Sequence, residues 1–283
     1  MKLADYKLVV SDLDGTLVKS GTDVISGAAI NVINTLKEQG ILFTIATGRG
    51  WAQSRKIVGE LGITLPVILQ SGAIVADPVT GKVIQMQPLR RTICDKLTGV
   101  HHFSGIDRFF LSEDGTYYTM DTVITDGGKS FLARSGELCR IGKRPDSLRP
   151  VVKHLFIGPE KAIQQLKEAI FQKISPRPNM ILWPPEEGNE DFFLEVFDPG
   201  ASKGRAVKWL SGYLRIKRKQ VIAFGDGYND ADLLSWAGLG VAMEDAPALV
   251  TSQAKMVIPG PEQDGLARFL DGEFFSYNRK GSY

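Results

Sequence analysis

The chain has 283 residues, 43% of them hydrophobic, and carries 34 Lys+Arg against 32 Asp+Glu, an ordinary globular composition long enough for about two domains. A net charge of +2 removes bulk electrostatics as a basis for binding nucleic acid or an anionic membrane, and two cysteines, Cys94 and Cys139, exclude a disulfide framework and a four-cysteine zinc site. Asp5 interrupts the first apolar residues and no segment approaches the roughly 18 apolar residues of a membrane span, so a cytoplasmic protein with neither membrane nor nucleic-acid partners is expected.

Tyr6 to Ser11 reads as a buried strand that runs into a polar turn at Asp12. A helix follows, with Ser26 as N-cap, Ala29, Ile33 and Leu36 at helical spacing and Gly40 as stop. Ile41 to Ala46 is a second strand, a helix with Ile57, Val58 and Leu61 ends at Gly62, and Pro66 to Leu69 gives a third strand. Strands alternating with helices predict a parallel sheet whose ligands lie beyond the carboxyl ends of the strands. The pattern then changes to paired short strands, with Glu113-Asp114-Gly115 as a hairpin turn between Phe109 to Leu111 and Thr116 to Met120. Further pieces are a strand at His154 to Ile157, a helix from Glu160 to Phe171, and strands at Ile181 to Trp183 and Phe192 to Val196. The alternation resumes with a helix from Lys203 to Tyr213, a strand at Val221 to Phe224, a helix from Ala231 to Ala237 and a strand at Leu239 to Ala242. The first domain is therefore expected to be discontinuous.

Four clusters carry chemistry. Asp12-Leu13-Asp14-Gly15-Thr16-Leu17 sits where the first strand ends, and a strand's period of two sends both carboxylates to one side before a turn splays them. One can attack phosphorus to form an acyl phosphate, and the other can move protons. A calcium loop counted from Asp12 needs glycine and glutamate where Leu17 and Asp23 stand. Thr47-Gly48-Arg49 lies between a strand end and a helix start, where a hydroxyl and free N–H groups either grip a phosphoryl oxygen or simply cap the helix. Lys203 falls in the first turn of a helix, opposing its dipole by roughly 0.3–1 kcal/mol unless an anion is bound, although alone it reads as a solvated surface lysine. Gly225-Asp226-Gly227-Tyr228-Asn229-Asp230 lacks the third glycine of a dinucleotide loop. Its acidic groups, set beside the Asp12 pair, would repel without a cation, which points to Mg2+ held by few carboxylates, water and phosphate; alone, they read equally as a capped turn.

In their order, and with a long insertion between the second and third, these motifs resemble the haloacid dehalogenase (HAD) superfamily, specifically its Cof-type, subclass IIB phosphatases with a C2-type cap. The resemblance spans the whole chain. It implies an α/β fold: a Rossmann-like parallel-sheet core from residues 1–82 and 190–283, with an inserted α+β cap at 83–189 that sets substrate specificity. It also implies that Asp12 is the nucleophile and a Mg2+ ligand, and that Asp14 is the general acid/base with its carbonyl on the metal. Leu13, Thr47, Gly48, Lys203 and Asn229 would hold phosphate, while Asp226, the Gly227 backbone and Asp230, as ligand or support, would complete the metal site. One departure is Ser71-Gly72-Ala73, where many relatives carry Asn-Gly-Ala, and it bears on a substrate or hinge contact rather than on the chemistry.

The expected activity is a Mg2+-dependent phosphomonoester hydrolase acting through an aspartyl-phosphate on a small phosphorylated metabolite, expected to be a sugar phosphate, as monomer or homodimer. A sugar phosphomutase and a catalytically silent phospho-ligand sensor are the alternatives. His101 and His102 lack a third metal ligand and read as a loop, and Arg215, Lys217, Arg218 and Lys219 read as a solvated loop. Trp183 and Phe192 read as core aromatics, and Glu195 as a side chain turned to solvent on an alternating strand rather than toward a sugar hydroxyl.

Overall fold

The computed structural model describes residues 3–99, 105–135, 138–142, 150–185 and 190–272; His101 and His102 lie outside them. In chain order the elements are β1 (Leu8–Ser11), α1 (Gly27–Glu38), β2 (Leu42–Ile45), α2 (Trp51–Glu60), β3 (Val67–Leu69), β4 (Ile74–Ala76), β5 (Val83–Met86), α3 (Arg91–Thr98), β6 (Asp107–Ser112), β7 (Tyr117–Thr119), α4 (Asp126–Ser135) and β8 (Cys139–Ile141). They continue with β9 (Val151–Gly158), α5 (Glu160–Lys173), β10 (Asn179–Trp183), β11 (Phe192–Phe197), α6 (Lys203–Tyr213), β12 (Val221–Gly225), α7 (Ala231–Trp236), β13 (Leu239–Met243), α8 (Ala248–Thr251), β14 (Met256–Ile258) and α9 (Gly265–Leu270). Among the described residues, no helix is long and apolar enough to cross a membrane. The chain divides into two compact units. One comprises Met1–Gly50, Ser54–Gln85 and Ser202–Tyr283, the other Trp51–Gln53 and Met86–Ala201.

The first unit is built on a parallel sheet of order β14-β13-β12-β1-β2, and a parallel bridge between Ala46 and Ile68 leads on to β3, which pairs antiparallel with β4. The apolar runs at Leu8–Ser11 and Val221–Gly225 are buried at every position, as strands covered on both faces must be. Leu8, Val10, Val221 and Ala223 face Ala206, Val207 and Leu210 of α6 and Leu233 and Leu234 of α7. Phe224, one residue out of phase, meets Phe269 of α9 edge-on at 5.3 Å. Ser26 caps α1 as its sequence predicts, accepting from the Ala29 N–H at 3.1 Å. Chain order reverses between β1 and β12, and at such a switch point the connecting loops diverge and leave a crevice at the strands' carboxyl ends.

The second unit is a six-stranded sheet of order β10-β11-β9-β6-β7-β8, antiparallel except for β7 and β8. Beside the 83–189 boundaries read from sequence, this unit runs on to Ala201, because β11 pairs with both β9 and β10. One face packs on α3 and α5 through Ile93, Leu97, Phe156, Ile163, Leu166, Ile170, Leu194 and Val196. The other carries Phe109, Tyr117 and Phe193, with Phe131 of α4 against all three. Glu195 projects to this second face and is buried, contrary to the solvent-facing expectation. β11 is an inner strand covered on both sides, so the carboxylate is paired internally with the Lys153 ammonium and with Trp183 Nε1 at 2.9 Å.

Candidate active site

All four sequence clusters lie in the first unit, and the structure brings their side chains together at the ends of β1 and β12. Asp12 follows β1, its N–H donating to the Phe224 carbonyl at 3.0 Å, which ties the start of the first cluster to the strand that feeds the fourth. The turn after it closes on the Leu13 carbonyl, which accepts from the Leu17 and Val18 N–H groups, both at 2.9 Å. Gly15 adopts φ +72°, and a Cβ there would stand 2.3 Å from Asp226 Oδ2, so only glycine lets the two acidic loops approach this closely. Thr16 Oγ1 then donates to Asp226 Oδ1 at 2.6 Å.

Lys203 is the centre of the charge arrangement. Its Nζ lies 2.9 Å from Asp12 Oδ1 and 2.7 Å from Asp230 Oδ1, and the side chain is wholly buried rather than solvated. Ser202 accepts from the Arg205 N–H to cap α6 and so fixes where the lysine departs. Asp230 spends its other oxygen on the loop: Oδ2 accepts from the Gly227 N–H at 3.0 Å and the Asp226 N–H at 3.3 Å. Burial works against the charge on Lys203, but the carboxylates of Asp12 and Asp230 outweigh it and raise its pKa.

Those carboxylates are crowded. Asp12, Asp226 and Asp230 each offer an oxygen within 4.8 Å of the others. Burial first, and then the neighbouring Asp230, push the Asp12 carboxyl up to about 8 despite Lys203. Burial and Asp12 push Asp226 up to about 7 against the Thr16 hydrogen bond. Asp230 is raised as well, by burial and by Asp226, with Lys203 opposing. When all three ionise, one lysine leaves two negative charges uncompensated in a buried site, which is the charge of one divalent cation. The donors are oxygens only, the set a hard cation such as Mg2+ takes. The site therefore fits a divalent metal.

Beside it is a polar cradle. Thr47, fully buried, accepts at Oγ1 from the Arg49 N–H at 3.2 Å, which leaves its hydroxyl hydrogen to donate. A Cβ on Gly48 would stand 3.4 Å from Ser71 Oγ and 3.7 Å from Asn229 Nδ2, and these two groups are hydrogen-bonded at 3.2 Å. Asn229 Oδ1 is buried without a partner. Ser71 itself is held at φ 52°, ψ 32°, the left-handed region that asparagine tolerates better than serine. The loop carrying it is stitched to the second cluster, Ser71 N–H to the Thr47 carbonyl at 2.9 Å and Gln70 N–H to the Arg49 carbonyl at 3.0 Å.

The first, second and fourth clusters thus meet Lys203 within one unit, as a buried acidic cluster adjoining hydroxyl, amide and ammonium donors. A family profile described as haloacid dehalogenase-like hydrolase matches residues 9–270. The chain belongs to that family. The resemblance drawn from the four motifs is borne out, with a Rossmann-like HAD core and a cap. Among its relatives, a 5-amino-6-(5-phospho-D-ribitylamino)uracil phosphatase of Bacillus subtilis is 27% identical over 95% of this chain and 97% of its own. An HMP-PP phosphatase of Serratia proteamaculans is 27% identical, covering 94% of each chain. The solved structure of a haloacid dehalogenase-like hydrolase from Bacteroides thetaiotaomicron, 22% identical, superposes with a TM-score of 0.78 over 95% of this chain and 100% of that one. Two participants in the site carried no assigned role in the sequence reading: Thr16, which fixes Asp226, and Arg49, whose side chain binds Asp14.

Proposed function

We propose that this HAD hydrolase is a Mg2+-dependent phosphomonoesterase that acts through an aspartyl-phosphate on a small phosphorylated metabolite, of the sugar or polyol phosphate class. The observation that carries the reading is the Asp12–Lys203–Asp230 constellation, a nucleophile-bearing strand end whose carboxylate is paired with a buried lysine at 2.9 Å and crowded by a second acidic loop. In the reaction, the free oxygen of ionised Asp12 attacks phosphorus while Asp14 gives its proton to the departing oxygen. Asp14 then takes a proton from the water that hydrolyses the acyl phosphate. Lys203, the Thr47 hydroxyl, the Leu13 and Gly48 backbone and the Asn229 amide bind the phosphoryl oxygens, where positioning and charge stabilisation lower the barrier.

Asp12 and Asp226, with the Asp14 and Gly227 backbone, would hold Mg2+, and Asp230 braces the loop through Gly227 N–H. The metal, when bound, neutralises charge between nucleophile and phosphate. Asp12→Asn is expected to reduce phosphate release from a panel of sugar phosphates by at least about 10³-fold, and chelation to abolish it in the unaltered protein. An Asp12→Asn protein with undiminished turnover would overturn the proposal. Phosphate transfer that requires a bisphosphate activator would replace hydrolase by mutase.

A further inference from the structure

The carboxylate of Asp14 stands apart from the three-carboxylate cluster, and both of its oxygens are taken up. Arg49 Nε donates to Oδ2 at 2.8 Å and Nη2 to Oδ1 at 2.6 Å. The guanidinium is itself fixed from the far side. Nη1 donates to Asp23 Oδ1, and Nη2 donates also to the Thr22 carbonyl at 2.9 Å. Arg49 is 13% exposed although its two acidic partners are 41% and 47% exposed, so the most covered member of the group is the one that holds the others. Its backbone is anchored independently, N–H to Thr47 Oγ1 and carbonyl to Gln70 N–H. Two parallel N–H donors on one carboxylate fix its plane as well as its position, which a single ammonium does not.

We infer that Arg49 is a positioning residue for the hydrolysis. Held by Asp23 and the Thr22 carbonyl, it sets the orientation of the Asp14 carboxylate, which exchanges a guanidinium hydrogen bond for the leaving-group oxygen in turnover. The inference rests on the reading of Asp14 as acid and base. Arg49 neither gives nor takes a proton. Asp14, whose two oxygens both accept from Arg49 here, first takes a proton from water as one of these hydrogen bonds opens. It passes that proton to the departing oxygen as the phosphorus–oxygen bond breaks and the Asp12–phosphorus bond forms. Asp14 then takes a second proton from the water whose oxygen attacks phosphorus and breaks its bond to Asp12.

Dependence on leaving-group protonation distinguishes this role from a structural one. An alkyl phosphate needs a proton on its departing oxygen, whereas p-nitrophenolate leaves without one. For Arg49→Met with Mg2+, kcat/KM for glucose 6-phosphate, or the alkyl phosphate turned over best, is expected to fall about 30-fold or more. For p-nitrophenyl phosphate it should fall less than about threefold, with Arg49→Lys between the variant and the unaltered protein for the alkyl ester. Asp14→Asn should show the same selectivity, and adding Arg49→Met to it should cause no further loss, because the two residues act as one unit. Equal losses on both esters, or losses that multiply in the double variant, would overturn the inference. Crystal structures of the unaltered and Arg49→Met proteins give a readout that needs no turnover: the Asp14 carboxylate should leave its position, and an unmoved carboxylate overturns the inference. Retained activity in Asp12→Asn instead removes the phosphatase reading and leaves that structural comparison to decide on Arg49.

Discussion

Replacing Lys203 by methionine keeps the volume of the side chain and removes the only cation seen among Asp12, Asp226 and Asp230 in the described residues. The fully buried ammonium makes two ion pairs, at 2.9 and 2.7 Å. Taking one partner from a buried ion pair costs about 3–5 kcal/mol, since it strands the opposite charge. Relief of the unfavourable helix dipole at the first turn of α6 returns about 0.3–1 kcal/mol, too little to change the sign. The loss should depend on pH. Without Lys203, the already raised Asp12 and Asp230 carboxyls rise further above their unfolded values near 3.8. The folded variant then holds more protons than the unfolded chain, so its stability falls as pH rises. One further retained proton corresponds to about 1.4 kcal/mol per pH unit, or roughly 3 kcal/mol between pH 5.5 and 8. Urea unfolding in chelator, followed by tryptophan fluorescence and circular dichroism at both pH values, gives the difference from the unaltered protein as a midpoint shift at constant slope. A penalty below about 1 kcal/mol at pH 8, or one that does not shrink toward pH 5.5, would refute the charge argument.

The same crowding makes metal binding a proton-releasing event: Asp12 at about 8 and Asp226 at about 7 must ionise to serve as ligands. Mg2+ affinity is therefore expected to rise between pH 6 and pH 8, with proton release measurable by calorimetry in buffers of different ionisation enthalpy. An affinity independent of pH would contradict this. In the second unit, His154 is buried against Phe110 and Phe156 with Nε2 unpartnered, and burial pushes its pKa down to about 3 from 6.5. The unfolded chain takes up that proton first as pH falls, so the stabilisation is complete above pH 6.5 and is lost progressively toward pH 3. Relative to His154→Leu, the unaltered protein should lose about 2 kcal/mol between pH 7 and pH 5 in denaturant titrations, and a constant difference would refute the lowered pKa.

Much of the fold was legible because its signals are local. Ser26 caps the helix it announces, and the apolar runs before Asp12 and Asp226 are the buried strands they resemble. The helices α3 and α4 went unread. α4 opens with Gly127 and Gly128, which argue against a helix from sequence, yet a Cβ at either would collide with a carboxylate, Asp191 or Asp107 respectively. Their presence answers a tertiary constraint that no window of sequence contains. Glu195 was misread for a related reason, since alternation along a strand assigns faces but does not say whether a face is covered. In the site, Asp12, Lys203, Asp226 and Asp230 were found through spacing at strand and helix ends. The contacts of Arg49 with Asp14 and Asp23 were not, because they join positions 26 to 35 residues apart through side-chain geometry alone.

The pairing of β1 with β12 has a consequence for how the molecule is made. Leu8 lies opposite Val221, so the strand that leads into Asp12 has to wait for a partner 213 positions away (221 − 8). The intervening cap sheet is joined mainly by nearer antiparallel neighbours and can assemble once β11 has been synthesised, before residues 221–225 are added. Loop closure over such a distance adds only about 0.6 kcal/mol per doubling of length, so the discontinuity matters little to final stability and a great deal to rate. Until residues 221–225 emerge, the sheet edge at β1 stays open and apolar, and in that interval the nascent chain is most exposed to pairing with the wrong strand.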